Sequence, residues 1–181
     1  MVAQSTETVG QLIQALEHSR LKLQRCVAGL DEETCSARPG GVWSITENLE
    51  HLAIVEKRVA SMLPSRLPGI EPAGDLKAPS PEHDLALAER IAVRIDKAQA
   101  PEPVVPSGRY PSCAQALEAF SNARQQLIGA VPTLEPYLRG RYIRHLLFGP
   151  LDGYQWILFL SAHTERHIKQ IEDTKAAIAL Q

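Results

Sequence analysis

Cysteine is scarce in this chain: Cys26, Cys35 and Cys113 are the three among 181 residues, none stands in a CxxC spacing, and any closed pair leaves an odd thiol. That argues against a disulfide framework and fits a reduced, cytoplasmic protein with buried or incidental thiols. Long apolar runs are missing as well. No uninterrupted stretch of 18 apolar residues occurs, and the opening MVAQSTETVGQ has neither a basic start nor an apolar segment. Membrane spanning and secretion are both disfavoured. Neither sign of charge prevails, with 19 Lys and Arg against 21 Asp and Glu, a formal net charge of -2 and no run of five like charges. No nucleic-acid or membrane partner is therefore expected. Strand signals are weak throughout.

What remains is helical periodicity. The chain is long enough for a single domain, residues 1–181, that buries about 70% of its extended surface, so no metal is needed merely to hold a core together. Apolar residues from about Thr6 to Leu30 recur at intervals of three and four, which predicts a first amphipathic helix ending near Gly29. Ser44 and Glu47 have the spacing of a capping box, with Trp43 before them, and open a second helix from Ile45 to Met62 that stops before Pro64. Five prolines and two glycines between Pro64 and Pro81 read as connection. A shorter helix follows from Glu82 to Ala98, then a third principal helix from Ser112 to Ile128 and a last one from Asp152 to Ala179. The local structure between the last two is uncertain. The fold class expected is all-α: four principal helices, with a long crossover between the second and third that carries the short extra helix and permits those two to run parallel.

The last helix contains SAHTERHIKQI, placing His163 and His167 four residues apart. Four residues turn a helix by about 400° and rise about 6 Å, so both imidazoles can face one ion. Two alone leave a weak site. A third must come from elsewhere, and the candidate is His51 in the second expected helix, whose addition would give a three-histidine face open to water or substrate. The same pair could instead be solvated, or hydrogen-bonded between helices. It is not a zinc-protease HExxH motif, because Thr164 occupies the glutamate position.

Three segments together narrow the reading: WSITENLEHLAIVEKRV around His51, HLLFGPLDGYQW, and HTERHIKQI at the end. In this order and separation they resemble the DinB-like, damage-inducible family. The resemblance covers nearly the whole chain. It implies a four-helix bundle with a long connection between helices two and three, and a divalent-metal site on His51, His163 and His167. Zinc or nickel is the first expectation for the ion, with manganese or iron also compatible. Some members of the family are described as metal-dependent hydrolases and others resemble transferases of low-molecular-weight thiols.

The expected function is thus transfer of a low-molecular-weight thiol to a small electrophilic substrate, with the thiol activated at the open position. The alternatives are hydrolysis of a small molecule by activated water and a noncatalytic metal-binding stress-response protein. A homodimer suits such a bundle, although no residue run marks an interface. Two candidate catalytic residues accompany the triad. Glu47 lies one turn before His51 and could accept a proton, in competition with its capping role; His145 could act as a pocket hydrogen-bonding or proton-transfer group, or make a structural hydrogen bond. Gln170 is a candidate hydrogen-bonding neighbour of His167. Glu50 and Glu165 are angularly displaced from the ligands and read as surface or supporting groups. Trp43, Tyr154, Trp156 and Phe159 read as bundle packing, with one of them a candidate pocket wall. Cys35 and Cys113 lack ligand spacing.

Overall fold

A computed structural model describes residues 3–74, 79–93 and 100–180 of the chain, and the side chains from Val9 onward within them. Among the described residues there are six α-helices: α1 Ala3–Val27, α2 Glu32–Ser36, α3 Ile45–Arg66, α4 Pro81–Ala92, α5 Cys113–Leu134 and α6 Gly153–Ala179. Two short strands, β1 Tyr142–His145 and β2 Gly149–Asp152, form an antiparallel hairpin just before α6. The architecture is the all-α bundle expected.

Local chemistry explains where the helices begin. Ser44 Oγ accepts from Glu47 N at 3.1 Å while Glu47 returns a carboxylate oxygen to Ser44 N at 2.8 Å. Asp152 and Gln155 build a second reciprocal cap at the start of α6, at 2.9 and 3.3 Å. Ser112 caps α5 through Gln115 N, and Ser80 caps α4 through His83 N. After α1 the chain turns at Gly29, whose φ of 74° lies in the left-handed region that suits glycine.

Cross-helix bonds fix the directions. Lys22 meets Glu165 and Cys26 meets Glu172, so α1 and α6 advance together. Glu50 meets the segment entering α5 and Glu56 meets Arg124 at its middle, so α3 and α5 are also parallel. Asn48 reaches His167 while His51 reaches His163, which makes α3 antiparallel to α6. The bundle is therefore up, down, down, up, and the long crossover between α3 and α5 is what lets neighbours in sequence point the same way.

The core is made from one face of each helix. Leu12, Leu16, Leu63, Leu127, Ile157 and Leu160 anchor one cluster, and Leu23, Leu49, Leu52, Phe120, Ile168 and Ile171 another. Gly153 is required where α6 starts, because a Cβ there would stand 2.7 Å from Leu67 Cδ1 and 3.1 Å from Leu138 Cα.

Several boundaries differ from the sequence expectation. Helix α3 runs through Pro64 to Arg66, and α5 passes Ile128 and includes Pro132. Each proline lies in the last turn, where losing one amide and crowding one carbonyl costs little helix. The short α2, capped by Asp31 through Thr34 N, adds a helical turn between the first two long helices. Helix α4 ends at Ala92 with Val93 extended as its C-cap, and residues 94–98 of the expected helix, including Ile95, lie outside the described residues. The hairpin is the main addition. Trp156 Nε1 donates to Ile143 O at 3.1 Å and pins it to α6, while Arg139 joins Asp84 of α4 to Asp152 at the hairpin's base. No helix among the described residues is long and apolar enough to cross a membrane.

Candidate metal centre

Helix α6 delivers His163 and His167 from successive turns, and antiparallel α3 delivers His51 opposite them. His163 Nε2 lies 3.2 Å from Nε2 of His51 and 3.2 Å from Nε2 of His167. All three ligand-capable nitrogens fall within 4.8 Å of one another, on side chains that are buried. Among the described residues no other group of His, Cys, Asp or Glu side chains converges this way.

The proton inventory decides what this cluster is suited to. His51 Nδ1 is 2.7 Å from Val104 O, a carbonyl that can only accept, so the proton sits on Nδ1 and Nε2 presents a lone pair. His167 Nδ1 is 2.8 Å from Asn48 Oδ1. The orientation of that amide is fixed from its other end, where Nδ2 donates to Ser44 O at 2.9 Å. His167 Nδ1 therefore also carries the proton, and its Nε2 also points inward bare. His163 Nε2 has at most one proton to share between two lone pairs, so imidazoles alone cannot satisfy the cluster. One divalent cation can. A zinc-sized tetrahedral ion about 2.0–2.1 Å from each nitrogen would set them about 3.3 Å apart, close to the 3.2 Å that separates His163 Nε2 from each of the other two. The outward hydrogen bonds to Val104 and Asn48 are of the kind that orient metal-ligating histidines.

Electrostatics point the same way. Burial pushes the His51 imidazolium down to about 4 and holds those of His163 and His167 well below the usual histidine range; the nearby Arg166 charge acts in the same direction on all three. The rings are neutral near pH 7, the form that ligates metal. Three neutral imidazoles and no carboxylate leave coordination positions open, so the group could hold a divalent metal ion that is still accessible to another molecule.

A cavity of about 1160 Å³ opens over the cluster. Trp43 forms one wall, its ring 5.2 Å from His51 and stacked 6.4 Å from His167. Phe159 stacks on His163 at 5.0 Å, and Val55, Val59, Met62, Phe148 and Trp156 continue the apolar lining. Val104 brings the crossover against the site. Its position is held by the residue beside His51: Glu50, 1% exposed, accepts from the amides of Ser107, Gly108 and Arg109 at 2.8–3.2 Å. Of the two readings open to this carboxylate, surface or supporting, the second holds: it clamps the wall of the site.

The other candidates divide. His145 lines the cavity at the hairpin turn, with Phe159, Trp156 and Phe148 at 4.6, 5.0 and 4.9 Å. Its Nδ1 accepts from Leu147 N and Phe148 N, which puts its proton on Nε2, and burial pushes its imidazolium down to about 4. Gln170 lines the same cavity. Glu47 is occupied by Ser44 N and by Arg38 and is not among the lining residues. Glu165 pairs with Lys22, and Tyr154 packs under Arg139. His18 and His83 are exposed and apart from the cluster. Burial raises the thiols of Cys26, Cys35 and Cys113, so none supplies a ready thiolate.

Asn48, Val104 and Arg166 are site residues that sequence reasoning passed over. Asn48 had a legible signal, standing three residues before His51 on the same helical face; a backbone carbonyl in a crossover has none.

Comparisons with known proteins agree with this arrangement. The chain is 29% identical over 161 residues to YuaE of Bacillus subtilis (strain 168), a protein described as uncharacterized, covering 88% of this chain and 94% of that protein. No solved structure matches significantly. The family model of the DinB superfamily matches residues 15–171, which reach into every helix of the bundle and include all three converging histidines, and the chain belongs to that superfamily.

Proposed function

We propose that this protein is a divalent-metal-dependent enzyme that transfers a low-molecular-weight thiol to a small electrophile, with His51, His163 and His167 as the metal ligands. The observation that carries the reading is the inward convergence of imidazole nitrogens with too few protons among them, on the floor of a cavity. A divalent ion held there would supply a positive charge that lowers the pKa of a thiol or of water.

The chain's own groups favour the thiol. Hydrolysis asks for a base to take a proton from water; Glu47 is engaged in the α3 cap, Glu50 on three crossover amides and Glu165 with Lys22, and the carboxylate that does line the cavity, Asp173, is exposed and stands six residues beyond His167 on α6. A thiol begins about seven pKa units more acidic than water and needs no such base. The cavity exceeds the upper end of the range usual for a single ligand, about 1,000 Å³, leaving room for a second small molecule beside the first. Trp43 and Phe159 lay apolar rings against the histidines, and His145 presents an Nε2–H that can donate to an oxygen of the electrophile. Glu47 serves the start of α3 rather than the reaction.

Metal analysis of purified wild type and of the His51→Ala, His163→Ala and His167→Ala variants is the first test. One ion per chain in wild type, lost in each variant, is expected; full occupancy in any variant removes the assignment. Turnover of electrophilic substrates is then compared with and without added small thiols. Metal-dependent hydrolysis without a thiol requirement would replace transfer by hydrolysis, and a tightly held ion with no turnover would point to a binding role.

A further inference from the structure

The acceptors that orient His51 and His167 differ in how they are held. Asn48 belongs to α3, and its amide is fixed by Ser44 O. Val104 O belongs to the crossover, 53 residues beyond His51, and a connection of that length has no inherent reason to return a carbonyl to one ring nitrogen. The turn Glu102–Val104 closes on itself, with Val104 N donating to Pro101 O at 2.9 Å and Val105 N to Glu102 O at 3.3 Å. Those bonds shape the turn but do not attach it to α3. Packing of the Val104 side chain against the core brings the turn near without aiming its carbonyl.

The attachment is Glu50, the residue before His51. Its carboxylate is buried, has no ion pair among the described residues, and accepts from Ser107 N at 2.8 Å, Gly108 N at 3.0 Å and Arg109 N at 3.2 Å. Three consecutive amides converge on one anion because Gly108 takes a φ of 77°, the left-handed step that makes a backbone nest. Burying a carboxylate costs solvation that apolar packing would not, so what it contributes is a fixed position. From Ser107 back to Val104 the chain is stiff: Val105 is extended and Pro106 locks its own φ. The span is at most about 10 Å, so the hold on the nest is passed to the carbonyl.

We propose that Glu50 is a positioning residue for His51: through the nest of Ser107, Gly108 and Arg109 it holds Val104 O on His51 Nδ1, which keeps the proton there and leaves Nε2 bare. This rests on the reading of the three histidines as metal ligands and extends it. One carboxylate on α3 then sets both the tautomer of a ligand and the crossover wall of the cavity, to which Pro101, Pro103 and Val105 also belong.

The test uses full-length protein with nitrogen-labelled histidine rings, metal-free and titrated with zinc, as wild type, Glu50→Ala and Glu50→Gln. Glu50→Ala is expected to lower zinc affinity by about tenfold or more. In the metal-free protein it should shift the His51 ring from the Nδ1–H tautomer toward a mixture, while His167, held by Asn48, keeps its own. Glu50→Gln retains one oxygen, able to accept from Ser107 and Arg109, but turns a donor toward the Gly108 amide, so it should fall between. Gly108→Ala attacks the nest from the crossover side. A Cβ there meets nothing within 4 Å, so the positive φ alone is disfavoured, and His51 should move in the same direction. That variant decides should both changes at Glu50 prevent folding. A zinc affinity for Glu50→Ala within twofold of wild type, an unchanged His51 tautomer, or equal disturbance of His51 and His167 would overturn the proposal, since a merely structural carboxylate lowers the melting temperature and leaves the tautomer alone. If wild type retains no zinc and the His51 tautomer still follows Glu50, the metal-dependent reading falls and the positioning role stands.

Discussion

Asn48 offers the sharpest test of how the centre is organised. Its side chain is 2% exposed, its Oδ1 receives the His167 Nδ1 proton at 2.8 Å, and its Nδ2 is spent on Ser44 O. Replacing it with leucine keeps the volume roughly constant while removing the acceptor and leaving little room for water. The His167 Nδ1–H is then buried without a partner, its ring is free to turn, and the tautomer with the proton on Nε2, which cannot ligate, becomes competitive. Loss of such an orienting partner typically lowers metal affinity about 10–100-fold, or about 1.4–2.7 kcal/mol. Asn48→Leu is expected near the top of that range and Asn48→Ala nearer the bottom, because the smaller side chain admits a water that can accept the proton. Zinc affinity is read by competition with a chromophoric chelator, and melting of the metal-free proteins confirms that the fold survives. Affinities for both variants within twofold of wild type would refute the reasoning, since the orientation of His167 would then owe nothing to this hydrogen bond.

Three further outcomes follow from the same structure. Arg124→Met strands the Glu56 carboxylate, 1% exposed, and is expected to cost about 3–5 kcal/mol in urea unfolding. The double variant Glu56→Leu/Arg124→Met should recover part of that loss, and a double variant weaker than the single would contradict the account. Glu50→Ala removes the acceptor for three crossover amides, so hydrogen exchange at Ser107, Gly108 and Arg109 should quicken by about tenfold or more; unchanged exchange would dismiss the clamp. In metal-free protein the folded-state values of His51 and His145 sit at about 4, below the ordinary 6.5. The unfolded chain therefore binds protons first as pH falls, and stability should decline between pH 6.5 and about 4. A urea midpoint that stays flat from pH 7 to 4.5 would count against burial of these rings in their neutral form.

The bundle is legible in the sequence because its signals are local and repeated: apolar residues at helical intervals, Ser44 with Glu47, and the break rich in proline after Arg66. The meeting of His51 with His163 and His167 is legible through helical spacing on α6 and through the family pattern. The hairpin is not, for a physical reason. Each strand is four residues long, too short for alternation to stand out, and β2 contains Pro150, which reads as a breaker. Its stability comes from elsewhere, from Trp156 on α6 and the Arg139 network. Glu50 is misleading for a related reason. Helical angle places it away from His51, and that face would be solvent in a bare bundle; it is buried because the crossover returns across it to bring Val104 onto the His51 ring. Tertiary return of a long connection leaves no periodic trace.

Buried beneath the site, Arg124 explains why three rings from two helices can meet so closely. It is 0% exposed, and it donates to Glu56 on α3, to Leu16 O and Ser19 Oγ on α1, and to Thr164 Oγ1 and Leu160 O on α6. One planar guanidinium thus ties its own helix to the other three long ones. An apolar core alone would hold these helices together but would tolerate sliding, because leucine and isoleucine contacts can be re-formed one turn along. A slip of one turn, about 5.4 Å, would separate nitrogens that now stand 3.2 Å apart. Thr164 is the residue next to His163, so the bond from Arg124 sets the α6 register at the site itself, while Glu56 sets α3 little more than one turn from His51. Such a group does not need to add net stability to be useful. Its geometry is satisfied in one register, and that register is the one in which the imidazoles converge.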